Sequence, residues 1–380
     1  MDKGRYSGIA SLDLSKAYDS ISHTLLLHKL AKLGLAEESL MWINSYLSER
    51  KQRTKFKHLI SDEETAKSGI PQGSIIGPVL FICFTNDLPE IFNNECSIIS
   101  YADDTQLVVH AKNMNQLKQK IEKAISLAQK WYENNSMKNN IGKSEIMVMS
   151  KGNEHENIIV KVIDEGTEVN IKSKKELKIL GVFIDYKLNW TKQTNNVKKN
   201  AINTIRNLHR IRHILPIKEK IKLYNSLVTP HFSYADVVWN GCGVTNARKI
   251  QTAQNFAIRS IVNKSKRESA TNILRQLKFL NLHQKRQVHE AVFIQKAFEN
   301  KLPQNITDNY MKQLPTSNTR FSTARKLILP KHKTSKFQNS PLYRTIKIWN
   351  NIPTNIPTDK THIFKNTYQT HLIHHTYSTS

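Results

Sequence analysis

Cysteine is scarce in this chain: three in 380 residues, Cys83, Cys96 and Cys242. They form neither a disulfide framework nor a zinc-ligand spacing, which suits a reducing compartment. No apolar run reaches the ~18 residues that a membrane span needs. The opening MDKGRYSGIA has no apolar core of the secretory type. Twelve glycines and eleven prolines are too few for a low-complexity or collagen-like chain, and there is no internal repeat. Acidic residues are the other scarcity, and it is local. Residues 1–150 carry 18 Lys+Arg and 17 Asp+Glu, whereas residues 151–380 carry 39 and 14. A chain with one near-neutral part and one strongly basic part points to a polyanionic partner, most often nucleic acid. The plainer alternative is a solvated basic surface.

Residues 7–13 read as a strand, with Gly8, Ala10 and Leu12 on one side and Ile9 and Asp13 on the other. Ser22 is a candidate N-cap for a helix with the stripe Leu25, Leu26, Leu30 and Leu33, stopped by Gly34. A second helix covers about 37–47, and Arg50–Arg53 opens a basic extended segment. The turn Ser68–Ser74 feeds an apolar helix over 75–84. Ser97–Tyr101 and Leu107–Val109 flank an acidic turn and predict a hairpin. Leu117, Ile121, Ala124, Leu127 (or Ala128) and Trp131 mark an amphipathic helix. Ile146–Met149 is a strand, and so is 177–184, interrupted by Gly181. Helices follow over 197–211, 217–228, 246–262 and 285–299. The first of these carries Lys198, Lys199, Arg206, Arg210 and Arg212 on its polar face.

Asp13 at a strand end, with Asp103 and Asp104 in a hairpin turn, makes an acidic set. Carboxylates at neighbouring strand ends are ligands that hard divalent ions take, and two ions ~3.5–4 Å apart clamp the oxygens of a phosphoryl displacement. Without a cation the acids raise one another's pKa. Adjacent strand residues point to opposite sides, so Asp103 is expected to share the metals with Asp13, and Asp104 to be peripheral or touch one metal. Asp is also an ordinary turn residue, so an exposed acidic turn is the competing reading.

The order of the segments goes further. SLDLSKAYDSISH (11–23), SGIPQGSIIGPVLF (68–81), YADDTQLVV (101–109), NNSMKNNIGKSEIMVMS (134–150) and LKILGVFIDYKLNW (177–190) follow one another. Together they closely resemble the successive palm motifs of reverse transcriptases from non-LTR (LINE-type, Jockey-like) retrotransposons. Segments 220–241, 249–262 and 341–357 resemble the thumb and post-thumb regions of the same elements. The resemblance implies an α+β fold: a right-hand polymerase palm, with an antiparallel sheet packed on helices, then a mainly α-helical thumb and C-terminal region. The implied domains are a palm with partial fingers over 1–176, a primer grip and helical thumb over 177–300, and a basic C-terminal region over 301–380.

By that resemblance Asp13, Asp103 and Asp104 are the catalytic metal-binding acids, with two Mg²⁺ ions, or Mn²⁺ in their place. Tyr18 is the aromatic gate under the incoming sugar, although it also reads as a core aromatic. Gln72 and Gly73 form a loop at the nucleotide and template, with Gly73 allowing close backbone approach. Lys143 is a basic residue near the triphosphate, and Leu180-Gly181 falls in the primer grip. The implied activity is RNA-directed DNA polymerisation from dNTPs on an RNA template with a DNA primer, in a ribonucleoprotein of nucleus and cytoplasm. The alternative is a catalytically silent nucleic-acid-binding remnant. With only twelve residues before Asp13, the resemblance also implies a chain lacking most of the fingers and the N-terminal endonuclease.

Overall fold

The structure is a computed structural model. It describes residues 6–93, 95–150, 158–164, 166–315, 326–358 and 360–378, with side chains of the last stretch through 375. The chain divides into two compact units, Lys3–Leu177 and Lys178–Ser380.

In the first unit, β1 (Tyr6–Leu12) runs into a short β2 (Leu14–Ser15), followed by helices α1 (His23–Lys32) and α2 (Glu37–Leu47). Short strands β3 (Lys51–Gln52), β4 (Lys55–Phe56), β5 (Leu59–Ile60) and β6 (Glu64–Thr65) precede helix α3 (Gly77–Thr85). Then come β7 (Ser97–Tyr101), β8 (Asp104–Ala111) and helix α4 (Met114–Asn134). Strands β9 (Lys138–Asn139), β10 (Glu145–Met149), β11 (Ile159–Asp164) and β12 (Thr167–Lys172) complete the unit. The main sheet has four strands in the order β10-β1-β8-β7, and every neighbouring pair is antiparallel. This is the α+β arrangement expected, a sheet with helices packed on it.

Helix α4 covers one face of that sheet. Asn113 caps it, its side chain accepting from Gln116 N at 2.9 Å. The buried stripe is Leu117, Ile121, Ala124, Ala128 and Trp131, which resolves the choice between positions 127 and 128 in favour of the alanine. Each fully buried Leu or Ile contributes roughly 1.5–3 kcal/mol. The helix comes this close because β1 carries glycine where it crosses: a Cβ on Gly8 would stand 2.6 Å from Ile121 Cδ1.

Helix α1 is capped by Ser22 and buries Leu26 and Leu30. Leu33, expected in the same stripe, is 48% exposed. It lies past the last helical residue, and Gly34 at φ +89° turns the chain away. The basic segment after Arg50 forms two short ladders, β3 with β6 and β4 with β5. Glu63 holds Lys51 and Arg53 across it, each at 2.8 Å.

The second unit opens on a departure from expectation. Residues 177–184 are a hairpin of β13 (Glu176–Ile179) and β14 (Val182–Asp185), not one interrupted strand. Leu180 at φ +46° and Gly181 at φ +81° reverse the chain between them. The helices are α5 (Thr191–Arg210), α6 (Ile217–Leu223), α7 (Thr229–Ser233), α8 (Asp236–Trp239), α9 (Gly243–Ile261), α10 (Ala270–Gln276), α11 (Leu282–Phe298) and α12 (Gln304–Met311). Helices Ser335–Gln338, Pro341–Asn350 and Thr361–Ser378 follow. One core gathers Trp190, Ala201, Tyr224, Phe232, Trp239 and Ile250, and another forms around Val288, Ile294, Trp349 and Phe364. Helix α5 buries Val197, Ala201 and Ile205 and leaves Lys199, Arg206 and Arg210 exposed.

Candidate active site

Three acids meet at one end of the main sheet. In the register of β1 against β8, Leu12 lies opposite Thr105. One step further along, Asp13 runs alongside Asp104. The Asp13 backbone is held from its other side, its carbonyl accepting from Asn140 N at 2.8 Å. Strand β2 then pairs with β9, Leu14 opposite Asn139. The β7–β8 hairpin closes with Tyr101 opposite Asp104, so Ala102 and Asp103 are its two turn residues. Ala102 takes the strained position, at φ +50°.

This corrects the reasoning from strand alternation. Asp103 is a turn residue rather than a strand residue, so pleat alternation does not separate it from Asp104. The charge of Asp103 acts on Asp104, and so does that of Asp13. The Asp104 carboxyl is raised above the usual aspartate value, first by burial, then by the negative charges of Asp103 and Asp13. Among the described residues no three or more His, Cys, Asp or Glu side chains close into a ready-made metal cage. Mg²⁺ does not require such a cage, since it takes one or two carboxylates and completes its octahedron with water and substrate phosphate. The hard oxygen donors and the mutual repulsion at Asp104 both fit such a cation.

Asp103 also faces a cleft that it lines together with Lys16, Tyr18, Gln72 and Gly73. The Tyr18 ring stacks on Phe81 of α3, centroids 4.7 Å apart and 21° between planes. Its hydroxyl pKa is raised by burial and then by the charge of Asp103. The two readings of Tyr18 are therefore compatible: the ring leans on the core and lines the cleft. Lys143 Nζ lies 3.9 Å from Asp13 Oδ2, with both side chains well exposed. Such a pair contributes little stability, about 0–1 kcal/mol, and leaves the ammonium at the acid cluster.

The loop carrying Gln72 is docked on the segment after Tyr18. Gly69 N donates to Ile21 O and Ile70 N to Tyr18 O, both at 2.8 Å. Ser68 Oγ donates to Asp19 O at 3.0 Å, and His23 Nε2 donates to Gly69 O at 2.8 Å. Gln72 Nε2 donates to Asp19 Oδ1 at 3.0 Å. Asp19 thus orients the Gln72 amide. Gly69, at φ +88°, permits a close approach within the chain: a Cβ there would stand 2.8 Å from Asp19 Cα and O. Gly73, at φ +82°, has no protein atom within 4 Å of where a Cβ would be and lines the cleft. Lys16 was also missed. It is held at φ +50°, a sparsely populated conformation for a residue with a Cβ, at the cleft's edge. A positive φ at lysine leaves no trace in a single sequence.

Leu180 and Gly181 belong to the second unit. They form the reversal of the β13–β14 hairpin, and Tyr234 Oη donates to Leu180 O at 2.6 Å. Of the aromatics Trp190, Tyr224, Phe232, Tyr234 and Trp239, all are buried except Tyr234, which is 56% exposed.

Residues 1–184 match the family model described as "Reverse transcriptase (RNA-dependent DNA polymerase)". The chain is 26% identical over 274 residues to the RNA-directed DNA polymerase from mobile element jockey of Drosophila funebris, covering 69% of this chain and 29% of that protein. The corresponding jockey protein of Drosophila melanogaster is 24% identical over 273 residues, again 69% of this chain and 29% of the relative. A probable RNA-directed DNA polymerase from transposon BS of Drosophila melanogaster is 25% identical over 296 residues, 74% and 31% of the two chains. This chain spans less than a third of the length of those relatives. Residues 1–184 therefore resemble the reverse transcriptase family, and the chain is similar to the polymerases of non-LTR retrotransposons.

Proposed function

We propose that the cleft of the first unit carries out RNA-directed DNA synthesis by two-metal nucleotidyl transfer. The observation that carries this reading is that Asp103 faces the same cleft as Tyr18, Gln72 and Gly73, while its charge acts on Asp104 together with that of Asp13. Asp13, Asp103 and Asp104 would hold the divalent cations, Mg²⁺ or Mn²⁺. Bound there, such ions stabilise the charge on the attacking and leaving oxygens of a phosphoryl displacement. The primer 3′-hydroxyl gives up its proton to water as its oxygen bonds to the α-phosphorus of the dNTP, the α–β bridging P–O bond breaks, and pyrophosphate leaves. The Tyr18 ring, which lines this cleft, would exclude a 2′-hydroxyl on the incoming sugar and so favour deoxynucleotides. Gln72, oriented by Asp19, meets the nucleotide and template. Lys143 and Lys16 supply positive charge for the phosphates, and Lys143 is the candidate proton donor to the leaving pyrophosphate.

The second unit supplies the polyanion surface. The Lys and Arg side chains of α5 follow phosphates of a template–primer hybrid without reading sequence. The Leu180-Gly181 turn meets the primer end. The partners are an RNA template, a DNA primer and dNTPs, in a ribonucleoprotein of nucleus and cytoplasm. Among the described residues no helix is long and apolar enough to cross a membrane.

Primer extension on an RNA template tests this. The full chain incorporates dNTPs in a Mg²⁺-dependent manner, and Asp103→Asn lowers the rate about a thousandfold or more, since each ~1.4 kcal/mol of lost stabilisation is tenfold. Removing the Asp103 charge also relieves Asp104, so the variant keeps or gains thermal stability, which separates lost chemistry from lost fold. Salt-sensitive RNA binding without incorporation at any enzyme concentration overturns the reading in favour of a binding remnant.

A further inference from the structure

The Leu180-Gly181 turn is built unusually. Both residues have positive φ, +46° and +81°, the backbone of a hairpin reversal that ordinarily takes Asn-Gly or Gly-Gly. A leucine there has a side chain that clashes with its own backbone and no polar group to compensate. Its side chain is not anchored in a core either, being 41% exposed. The two-residue reversal demands positive φ at both positions, but it does not explain why a leucine is tolerated at the first of them.

A compensating contact comes from 54 residues further along the chain. Tyr234 Oη donates to Leu180 O at 2.6 Å, a short bond. The ring edge lies under the turn, with Cε1 3.6 Å from where a Gly181 Cβ would be. Tyr234 is itself fixed at a reversal. Its N–H donates to Pro230 O at 3.0 Å. Its carbonyl accepts from Nε1 of the fully buried Trp239 at 2.9 Å. The next residue, Ala235, is at φ +51°. Strained non-glycine residues thus stand at both ends of this contact: Leu180 accepts from the tyrosine hydroxyl, and Ala235 follows the tyrosine in the chain. Strain of this kind persists where the surroundings over-determine it, and it collects at functional sites. The hairpin is also flanked by positive charge: Lys178 and Lys192 both stand over the Phe183 ring, at 5.8 and 4.6 Å from its centroid.

We infer that Tyr234 is a positioning residue for the primer strand, its hydroxyl holding the Leu180-Gly181 turn in the shape that meets the primer 3′ end. The inference rests on the polymerase reading for its functional sense. The chain of contacts runs from a core tryptophan through an exposed tyrosine to an exposed turn, a rigid strut built outward from the core. A tyrosine serving only to fill space would need neither its hydroxyl nor its exposure.

Tyr234→Phe in the full chain isolates the hydroxyl. In primer extension, the KM for primer rises about fivefold, the size expected from one hydrogen bond of about 1 kcal/mol, while the KM for dNTP is unchanged. Gly181→Ala, which keeps the tyrosine and disfavours the turn, gives the same split. Binding read by fluorescence anisotropy gives an arm that needs no catalysis. A hybrid with a recessed 3′ end binds Tyr234→Phe about fivefold more weakly, by the same hydrogen-bond estimate, and single-stranded RNA binds it as it binds wild type. A variant that matches wild type in both assays overturns the inference, and so does one that raises both KM values equally with a lower melting temperature. A wild-type chain that extends no primer refutes the polymerase reading, and the anisotropy comparison still decides the role of Tyr234.

Discussion

Gly69→Ala is the substitution that most directly probes how the nucleotide loop is held. The chain carries its own control in Gly34. The two glycines have nearly the same conformation, φ +88° and +89°, but a Cβ on Gly34 meets nothing within 4 Å, whereas one on Gly69 stands 2.8 Å from Asp19 Cα and O. The conformational cost of alanine at such a φ is about 1–2 kcal/mol and is shared by both variants. The collision belongs to Gly69→Ala alone. Backbone atoms cannot rotate out of the way, so the two segments must part. Parting them stretches the bonds Gly69 N to Ile21 O and Ile70 N to Tyr18 O, both 2.8 Å. At about 1 kcal/mol each, the extra cost is about 2 kcal/mol, and Gln72 is drawn off Asp19. Hydrogen exchange at the Ile70 amide reads this junction locally. It speeds up about thirtyfold in Gly69→Ala relative to Gly34→Ala, because ~1.4 kcal/mol is a factor of ten. The amide of Ile9, in the middle of β1, stays protected in both. Equal protection of Ile70 in the two variants would refute the argument that the loop is docked by close backbone approach.

Asp104→Asn tests the acid cluster through pH. The folded-state carboxyl is raised above the ordinary aspartate value, by burial and then by Asp103 and Asp13. The fold therefore favours the protonated form, and stability present below the ordinary value is lost as pH rises through the raised one. The variant accordingly melts higher than wild type at neutral pH. The gap closes at about pH 3, below the ordinary value near 3.9, and Mg²⁺ narrows it at neutral pH. A gap that widens on acidification would contradict the sign. Glu290→Gln tests a buried pair in the second unit. Glu290 is fully buried and its Oε1 accepts from Arg344 Nε at 3.0 Å, Arg344 Nη2 at 2.7 Å and Asn240 Nδ2 at 2.8 Å. Neutralising it leaves the guanidinium without its counter-charge and costs about 3–5 kcal/mol in urea unfolding. A loss under about 1 kcal/mol would mean the pair is no more than a surface bridge.

Much of the fold was legible because local rules and tertiary packing agree here. Ser22 caps α1, and the Leu117–Trp131 stripe packs on the sheet. The hairpin around Ala102 and Asp103 closes where turn chemistry and flanking β-branched residues place it. The misses share a cause. Leu33 follows the helical period, but its helix has ended. The 177–184 run has strand composition throughout, and its reversal depends on a left-handed leucine that no propensity anticipates. Gly73 and Gly69 are four residues apart in one glycine-containing turn. That Gly69 accommodates a neighbouring backbone, which the sequence reading did not anticipate, depends on a segment fifty residues earlier.

By itself, the sequence determined the elements, the acids and their order along the chain, because capping, periodicity and motif spacing are local properties. It also determined the charge imbalance between the two parts, which is composition alone. Tertiary structure decided the rest. It brought Asp13 alongside Asp104 through strand register, and set Asp103 in a cleft with Tyr18 and Gln72. It gave Asp19 the Gln72 amide to hold and placed the Tyr234 hydroxyl under Leu180. Those relations span roughly 30 to 90 residues of chain. The free energy that fixes them comes from the burial of α4 and the other helices on their cores, and that burial is not written at any of the positions it brings together.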